Sequence, residues 1–364
     1  MTIRPWCERA LAHRRRSMFL ACLSATIALS ASDLCAQTTP GGAREAPAKV
    51  IPVPDTVSPQ MQKLIAAPLR PTWNVIPKTI DDWKAEVNAG ATARVARLKP
   101  MAEALHVKVD PITIDGVKAS EVKPEEIAPD NKDRLLVHLH GGCFVSFPGE
   151  SGTGEAILMA GLGRFKVISV DYRMAPDHPH PAALDDVIAV WRAVSTTTAP
   201  KNMAIFGSSA GGNLTLAAVL RAKQENLPLP AAIAPATPMS DLTNAGDTLQ
   251  TNAFLDDVLV APDGDCDKRA ALYIGGRDAK DPLLSPVYGD MHGFPPAILT
   301  TGTRDLLLSS TVRIHRKLRQ AGVEAALQVF EGQSHAQFLY DFNAPETKEA
   351  FEEIAQFFDK HLSR

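Results

Sequence analysis

The chain is expected to fold as an α/β protein, with a mostly parallel sheet, helices on both faces and a small helical layer before it. Three observations predict this. Short apolar runs alternate with helical patterns from about residue 135 to the end. The runs are apolar almost throughout, as strands covered on both faces must be. The chain between successive runs is long enough for crossover helices. A length of 364 residues, 45% of them hydrophobic, supplies one large core with a small layer added to it.

At the N-terminus, His13-Arg14-Arg15-Arg16 precedes SMFLACLSATIALSAS (17–32), which carries no charge. A basic start, a short apolar stretch and then small residues read as a secretory signal peptide over 1–36, cut between Ala36 and Gln37. An uncleaved anchor is the alternative, although a membrane span needs about 20 apolar residues. Localisation is therefore expected to be exported, periplasmic or secreted, with no stable membrane insertion once processed. Cys7, Cys22 and Cys35 leave with the signal, so Cys143 and Cys266 remain. Two cysteines are not a disulfide framework. Export permits one bridge, but nothing in the sequence brings these two together.

Residues 37–57, rich in Pro, Gly, Ala and Thr, read as a flexible leader. From 58 to 106 the spacing is helical, with Met61, Leu64 and Ile65 as one set and Trp83, Val87, Val95, Leu98, Met101 and Leu105 as another. Pro68, Pro71, Pro77 and Pro100 punctuate this segment. A hairpin is expected next, VKVDPITI (107–114) and ASEVKPEEI (119–127), turning at Asp115-Gly116. It opens the main domain, 107–364. The strands that follow are LLVHLH (135–140), VISVDY (167–172), MAIFG (203–207), AAIAPA (231–236), AILTTG (297–302) and AALQVF (325–330). Helical patterns occupy 181–195, 210–226, 309–321 and 345–361.

A formal net charge of −3, with no basic stripe interleaved with aromatics, excludes a nucleic-acid partner. DGDCD (263–267) alternates carboxylates as a calcium loop would, but Lys268 and Ile274 stand where that loop needs Gly and Glu. It reads as a solvated loop, and no metal site is expected.

The chemistry is carried by GSSAG (207–211). It lies between the strand MAIFG and a helix, and it matches G-x-S-x-G. Such a string also occurs by chance, but here it has the strand–turn–helix context the motif requires. Only Ser209 has glycine two residues away on both sides. It also stands at a helix N-terminus, which favours developing negative charge. A serine needs a base, and the base needs a carboxylate to orient it, in the chain order Ser, Asp, His. His335 in EGQSHAQF follows the last strand, where open parallel sheets place their chemistry. His292 lies in a Gly/Pro loop, His315 within a charged helix and His361 at the C-terminal helix end. Asp305 is the first carboxylate after AILTTG; its other reading is a helix N-cap. Asp278, Asp281 and Asp290 are weaker candidates. Amide donors for an oxyanion are expected from Ala210 and from the loop His140-Gly141-Gly142-Cys143 that follows LLVHLH.

Together the segments HLHGGCF (138–144), DYRMAPDHPHPAALDD (171–186), GSSAGGNL (207–214), TPMSDLT (237–243), DPLLSPVY (281–288), TGTRDLL (301–307) and GQSHAQF (332–338) resemble the hormone-sensitive-lipase-type esterases of the α/β-hydrolase superfamily. The resemblance spans about 107–362, and 58–106 is similar to that family's N-terminal cap. It implies an α/β-hydrolase fold and a serine carboxylesterase without cofactor. Ser209 would be the nucleophile, Asp305 the acid and His335 the base. Amides of Gly141, Gly142, Cys143 and Ala210 would serve as the oxyanion hole. It implies that His140 orders the glycine loop and that Asp171 and Arg173 hold structure near the site. Many members pair as homodimers. A short cap implies short- to medium-chain esters or lactones rather than long-chain triglycerides.

Two residues depart from the family pattern. Cys143 stands where a third glycine is usual, and a Cβ there restricts positive φ. It reads as a small buried hydrophobe. Ser208 stands where many members have Asp. Met61, Leu64, Trp73 and Trp83 read as packing rather than pocket lining, and 244–260 as a border of the acyl side. The fold also hosts non-catalytic ligand-binding proteins, which the complete Ser–Asp–His order argues against. An amidase or peptidase would use the same triad.

Overall fold

The computed structural model describes residues 37–38 and 42–363; the signal-peptide reading falls outside them. Among the described residues, no helix is long and apolar enough to cross a membrane. The chain divides into two units, Met1–Pro52 and Val53–Arg364. In the first, Gln37–Thr38 pairs antiparallel with Arg44–Glu45. The second holds the remaining described elements.

Two helices come first. Helix α1 (Pro59–Ile65) is capped by the Ser58 hydroxyl, which accepts from the Met61 amide. Helix α2 (Ile80–Ala104) opens with a reciprocal capping box between Thr79 and Asp82. Pro100, expected to punctuate, sits inside α2 on its exposed side. Leu98 and Met101, beside it, stay buried and hold the helix through the proline.

The hairpin forms with its turn at Asp115-Gly116, both at positive φ, but its second strand starts and ends earlier than the expected 119–127: β1 (Val107–Ile114) pairs with β2 (Val117–Pro124), because the two-residue turn sets Val117 directly opposite Ile114. Strands β3 (Leu135–Leu139), β4 (Val167–Val170), β5 (Met203–Ser208), β6 (Ala232–Ala236), β7 (Ala297–Gly302) and β8 (Ala325–Phe330) complete an eight-stranded sheet. Its order is β8-β7-β6-β5-β3-β4-β2-β1. All pairs from β4 to β8 are parallel, while β2 runs antiparallel to both β1 and β4.

Strand alternation feeds two cores. Leu135, Val137, Leu139, Met203 and Ile205 face one side, where α4 (Ala182–Val194), α5 (Ala210–Gln224) and α8 (Leu308–Gln320) bring Trp191, Leu214 and Ile314. Leu136, Ala204 and Phe206 face the other, against Met159 of α3 (Gly154–Gly163) and Phe358 of α9 (Pro345–His361). Each of these large buried side chains contributes about 1.5–3 kcal/mol. A short α6 (Thr248–Thr251) and α7 (Asp265–Ile274) lie between β6 and β7.

Helix α7 corrects the solvated-loop reading of DGDCD. Gly264 is its N-cap, and Asp265 and Asp267 complement the dipole of its first turn. Asp265 is buried and ion-paired with Arg70. At the foot of β3, Arg134 is buried and donates to the carbonyls of Ser363 and Leu362, to Asn131 and to Asp359.

β3 is followed along the chain by β4 on one side and pairs with β5 on the other. The carboxyl ends of β3 and β5 therefore flank a topological switch point, the usual place for a ligand crevice in such sheets.

Candidate active site

Ser209 occupies the turn between β5 and α5 with φ 59° and ψ −119°, a conformation costing about 1–3 kcal/mol in a non-glycine residue. The turn is held by its own backbone: the Ser209 amide donates to the Ala236 carbonyl, and the Ser209 carbonyl accepts from Asn213 and Met239. The motif glycines are required because β3 passes directly behind. A Cβ at Gly207 would lie 2.1 Å from the Leu139 carbonyl oxygen, and one at Gly211 would lie 1.8 Å from it. Ser208 points elsewhere. Its hydroxyl donates to the buried Glu155 of α3 at 2.8 Å, and His138 of β3 approaches the same carboxylate oxygen at 3.4 Å.

Asp305 and His335 meet at the ends of β7 and β8. His335 Nδ1 lies 3.1 Å from Asp305 Oδ1 and donates to it, which leaves Nε2 as the free lone pair. Asp305 is fully buried. Its Oδ1 also accepts from the Leu307 amide, and its Oδ2 accepts from the hydroxyls of Thr301 and Thr237. The pKa of His335 is raised: burial opposes the charge, but the Asp305 charge, its hydrogen bond and the Asp256 charge outweigh it.

Asp256 was not legible in the sequence. Its buried carboxylate accepts four backbone amides, from Val258 and Leu259 at Oδ1 and from Leu306 and His335 at Oδ2. It thereby joins the loop carrying Asp305 to the loop carrying His335. Burial and the nearby Asp305 charge push it up to about 6. Thr237 and Glu155 were missed for the same reason: each acts through partners remote in sequence.

The loop after β3 runs beside Ser209; a Cβ at Gly141 would lie 3.3 Å from the Ser209 Cβ. Among the described residues, the amides of Gly141, Gly142, Cys143 and Ala210 donate to no protein acceptor. His140 is neutral, its pKa lowered to about 3 by burial. Its Nδ1 donates to the Gly141 carbonyl, its ring stacks on Tyr172, and the Tyr172 hydroxyl donates to the His140 carbonyl. Asp171 accepts from the Gly149 amide, and Arg173 pairs with Asp186.

Cys143 is buried, as expected of a small hydrophobe, but it is not a free thiol: it is bonded to Cys266, with Cα atoms 5.6 Å apart. The separation of 123 residues explains why no spacing argument found the pair. Cys143 and Phe144 both adopt positive φ, 52° and 63°, at about 1–2 kcal/mol each.

Ser209, His335, Gly141, Gly142 and Cys143 line one cavity of about 420 Å³. Val87 and Arg94 of α2 are among its walls, as are Asp257, Val258 and Leu259 from the 244–260 stretch. Met61, Leu64, Trp73 and Trp83 are not among its walls. No group of three or more His, Cys, Asp or Glu among the described residues could hold a metal ion.

Comparison with known proteins agrees with this geometry. A family model described as the alpha/beta hydrolase fold matches residues 136–339. The crystal structure of esterase E25 superposes with a TM-score of 0.85 at 42% identity, covering 88% of this chain and 99% of that one. A hormone-sensitive lipase from a metagenome library gives a TM-score of 0.67 at 26% identity, covering 77% and 98%. An esterase of Acinetobacter venetianus is 32% identical over 69% of this chain and 82% of its own length. With a sheet, a strained serine turn and a glycine loop of this kind, and relatives spanning most of their own length, the chain belongs to the hormone-sensitive-lipase-type esterases of the α/β-hydrolase fold and is a carboxylic ester hydrolase.

Proposed function

We propose that the protein is a serine carboxylesterase acting through an acyl-enzyme on short- to medium-chain esters or lactones. His335 Nε2 takes the proton of the Ser209 hydroxyl, and the oxygen attacks the ester carbonyl. Asp305 holds the imidazole in the tautomer this needs and stabilises the imidazolium. The free amides of Gly141, Gly142, Cys143 and Ala210 hold the oxyanion. His335 then protonates the leaving alcohol, and water repeats the sequence on the acyl-enzyme. The observation that carries this reading is the His335–Asp305 hydrogen bond beside a cavity that also contains the strained Ser209.

The cavity volume suits a small ligand, and Arg94, Glu86 and Arg269 along its wall disfavour long acyl chains. A similar protein of Mycobacterium tuberculosis, 31% identical, is named a putative acetyl-hydrolase, which supports a short acyl group. The disulfide supports export, since such bonds persist in oxidising compartments.

The test is hydrolysis of p-nitrophenyl esters from acetate to palmitate, with Ser209→Ala and fluorophosphonate labelling alongside. Turnover peaking at short chains, with both turnover and labelling lost in Ser209→Ala, is expected. Absence of both turnover and labelling in the parent protein would refute the reading.

A further inference from the structure

The loop expected to hold the oxyanion is gripped along one stripe of α7. Cys266, Arg269 and Tyr273 are spaced three and seven residues apart, so they share a face of that helix. Each holds a different residue of the loop. Cys266 is bonded to Cys143. Arg269 Nη1 donates to the Ser146 hydroxyl at 2.7 Å. The Tyr273 ring stacks on Phe144, with centroids 3.9 Å apart and planes within 4°. The helix is itself fixed at both ends. The Asp265 amide donates to the Trp73 carbonyl, and the Tyr273 carbonyl accepts from the His180 amide. Arg269 also pairs with Glu86 of α2.

This grip falls where the backbone resists its own conformation. Gly142, Cys143, Phe144 and Phe147 all have positive φ. Gly142 tolerates this as only glycine does, since a Cβ there would lie 2.6 Å from the Ser146 carbonyl oxygen. Cys143 has no such freedom. Its left-handed conformation costs about 1–2 kcal/mol, and the bridge to Cys266 anchors the side chain of that same residue.

We propose that the Cys143–Cys266 disulfide is a positioning element of the reaction, fixing the Cys143 amide in the left-handed conformation that aims it at the oxyanion. The proposal rests on the esterase reading above. The bridge substitutes a covalent restraint for the freedom a glycine would supply, and its effect is on the transition state rather than on substrate binding.

The experiment compares Cys266→Ala with the double variant Cys266→Ala/Cys143→Gly in the full chain. Both lack the bridge and lose its stabilisation alike, but only the single variant leaves a Cβ at the left-handed position. For p-nitrophenyl acetate, Cys266→Ala is expected to lower kcat about 10- to 100-fold, approaching the loss of one oxyanion donor, with KM within about threefold. The double variant is expected to recover at least about 10-fold of that kcat, with a melting temperature no higher than the single variant's. A kcat for Cys266→Ala within about twofold of the parent, or a double variant no faster than the single, overturns the proposal. Should Cys266→Ala not fold, the parent is titrated with the phosphine TCEP, which reduces the bridge to two thiols and is itself oxidised. The free thiols are counted by iodoacetamide mass shift. Loss of kcat in step with thiol release supports the proposal; full kcat with both thiols free overturns it. A parent protein that neither turns over esters nor labels with fluorophosphonate overturns the esterase reading and this proposal together, an outcome distinct from failure of the variants alone.

Discussion

Replacing Gly211 by alanine tests whether the carbonyl of Leu139 sets the geometry of the serine turn. The added Cβ would lie 1.8 Å from the Leu139 oxygen and 2.8 Å from the His140 oxygen. Both are backbone atoms, so no side chain can swing aside. To reach a contact of 3.0 Å, the first turn of α5 and the end of β3 must part by more than 1 Å. β3 leads into Gly141–Cys143, and α5 begins after Ser209, so the displacement falls between the serine and the glycine loop beside it. A misplacement of about 1 Å in such a site costs on the order of 100-fold in rate, about 2.7 kcal/mol of transition-state stabilisation. Steady-state kinetics on p-nitrophenyl butyrate measure it, with near-ultraviolet circular dichroism to establish folding. A folded Gly211→Ala with kcat/KM within about threefold of the parent would show that β3 does not constrain the turn.

Two further substitutions separate the carboxylates. Asp305→Asn removes the charge facing His335 and should lower kcat on the order of 10³- to 10⁴-fold, measured on the same esters; a loss below about tenfold would assign the orienting role elsewhere. Because the pKa of His335 is raised and the base acts when neutral, kcat/KM should fall with decreasing pH along a limb above the ordinary imidazole value of about 6.5. Asp256→Asn removes one of the charges that favour the imidazolium, so the limb should move to lower pH. A limb that stays put or moves upward contradicts the placement of Asp256.

Much of the sheet and of the candidate site was legible because their constraints are local. AILTTG and AALQVF end where β7 and β8 end, and the C-terminal helix spans the expected residues. Each is a short apolar run, or a helical stripe, bounded by turn residues. The glycines of GSSAG carry their reason within five residues. Helix α3 escaped notice because GEAILMAGLG buries seven of its ten residues, leaving no polar face to mark a period. Helix α7 was hidden by an acidic N-terminus that resembled a metal loop. The disulfide, the Thr237–Asp305 hydrogen bond and the His335–Asp256 hydrogen bond join residues 123, 68 and 79 positions apart, and composition holds no trace of such pairings.

Arg134 ties the beginning of β3 to the last turn of α9 and the residues just after it. Its guanidinium is buried, and three of its four acceptors are Asp359, Leu362 and Ser363. Those acceptors lie more than 200 residues further along the chain, while β3 is central in the strand order. Without them, seating β3 would bury an uncompensated cation, at a cost of several kcal/mol against a typical total stability of only about 5–15 kcal/mol. Damage to residues 359–363 is therefore felt at the strand that leads into the glycine loop, far in sequence from the lesion.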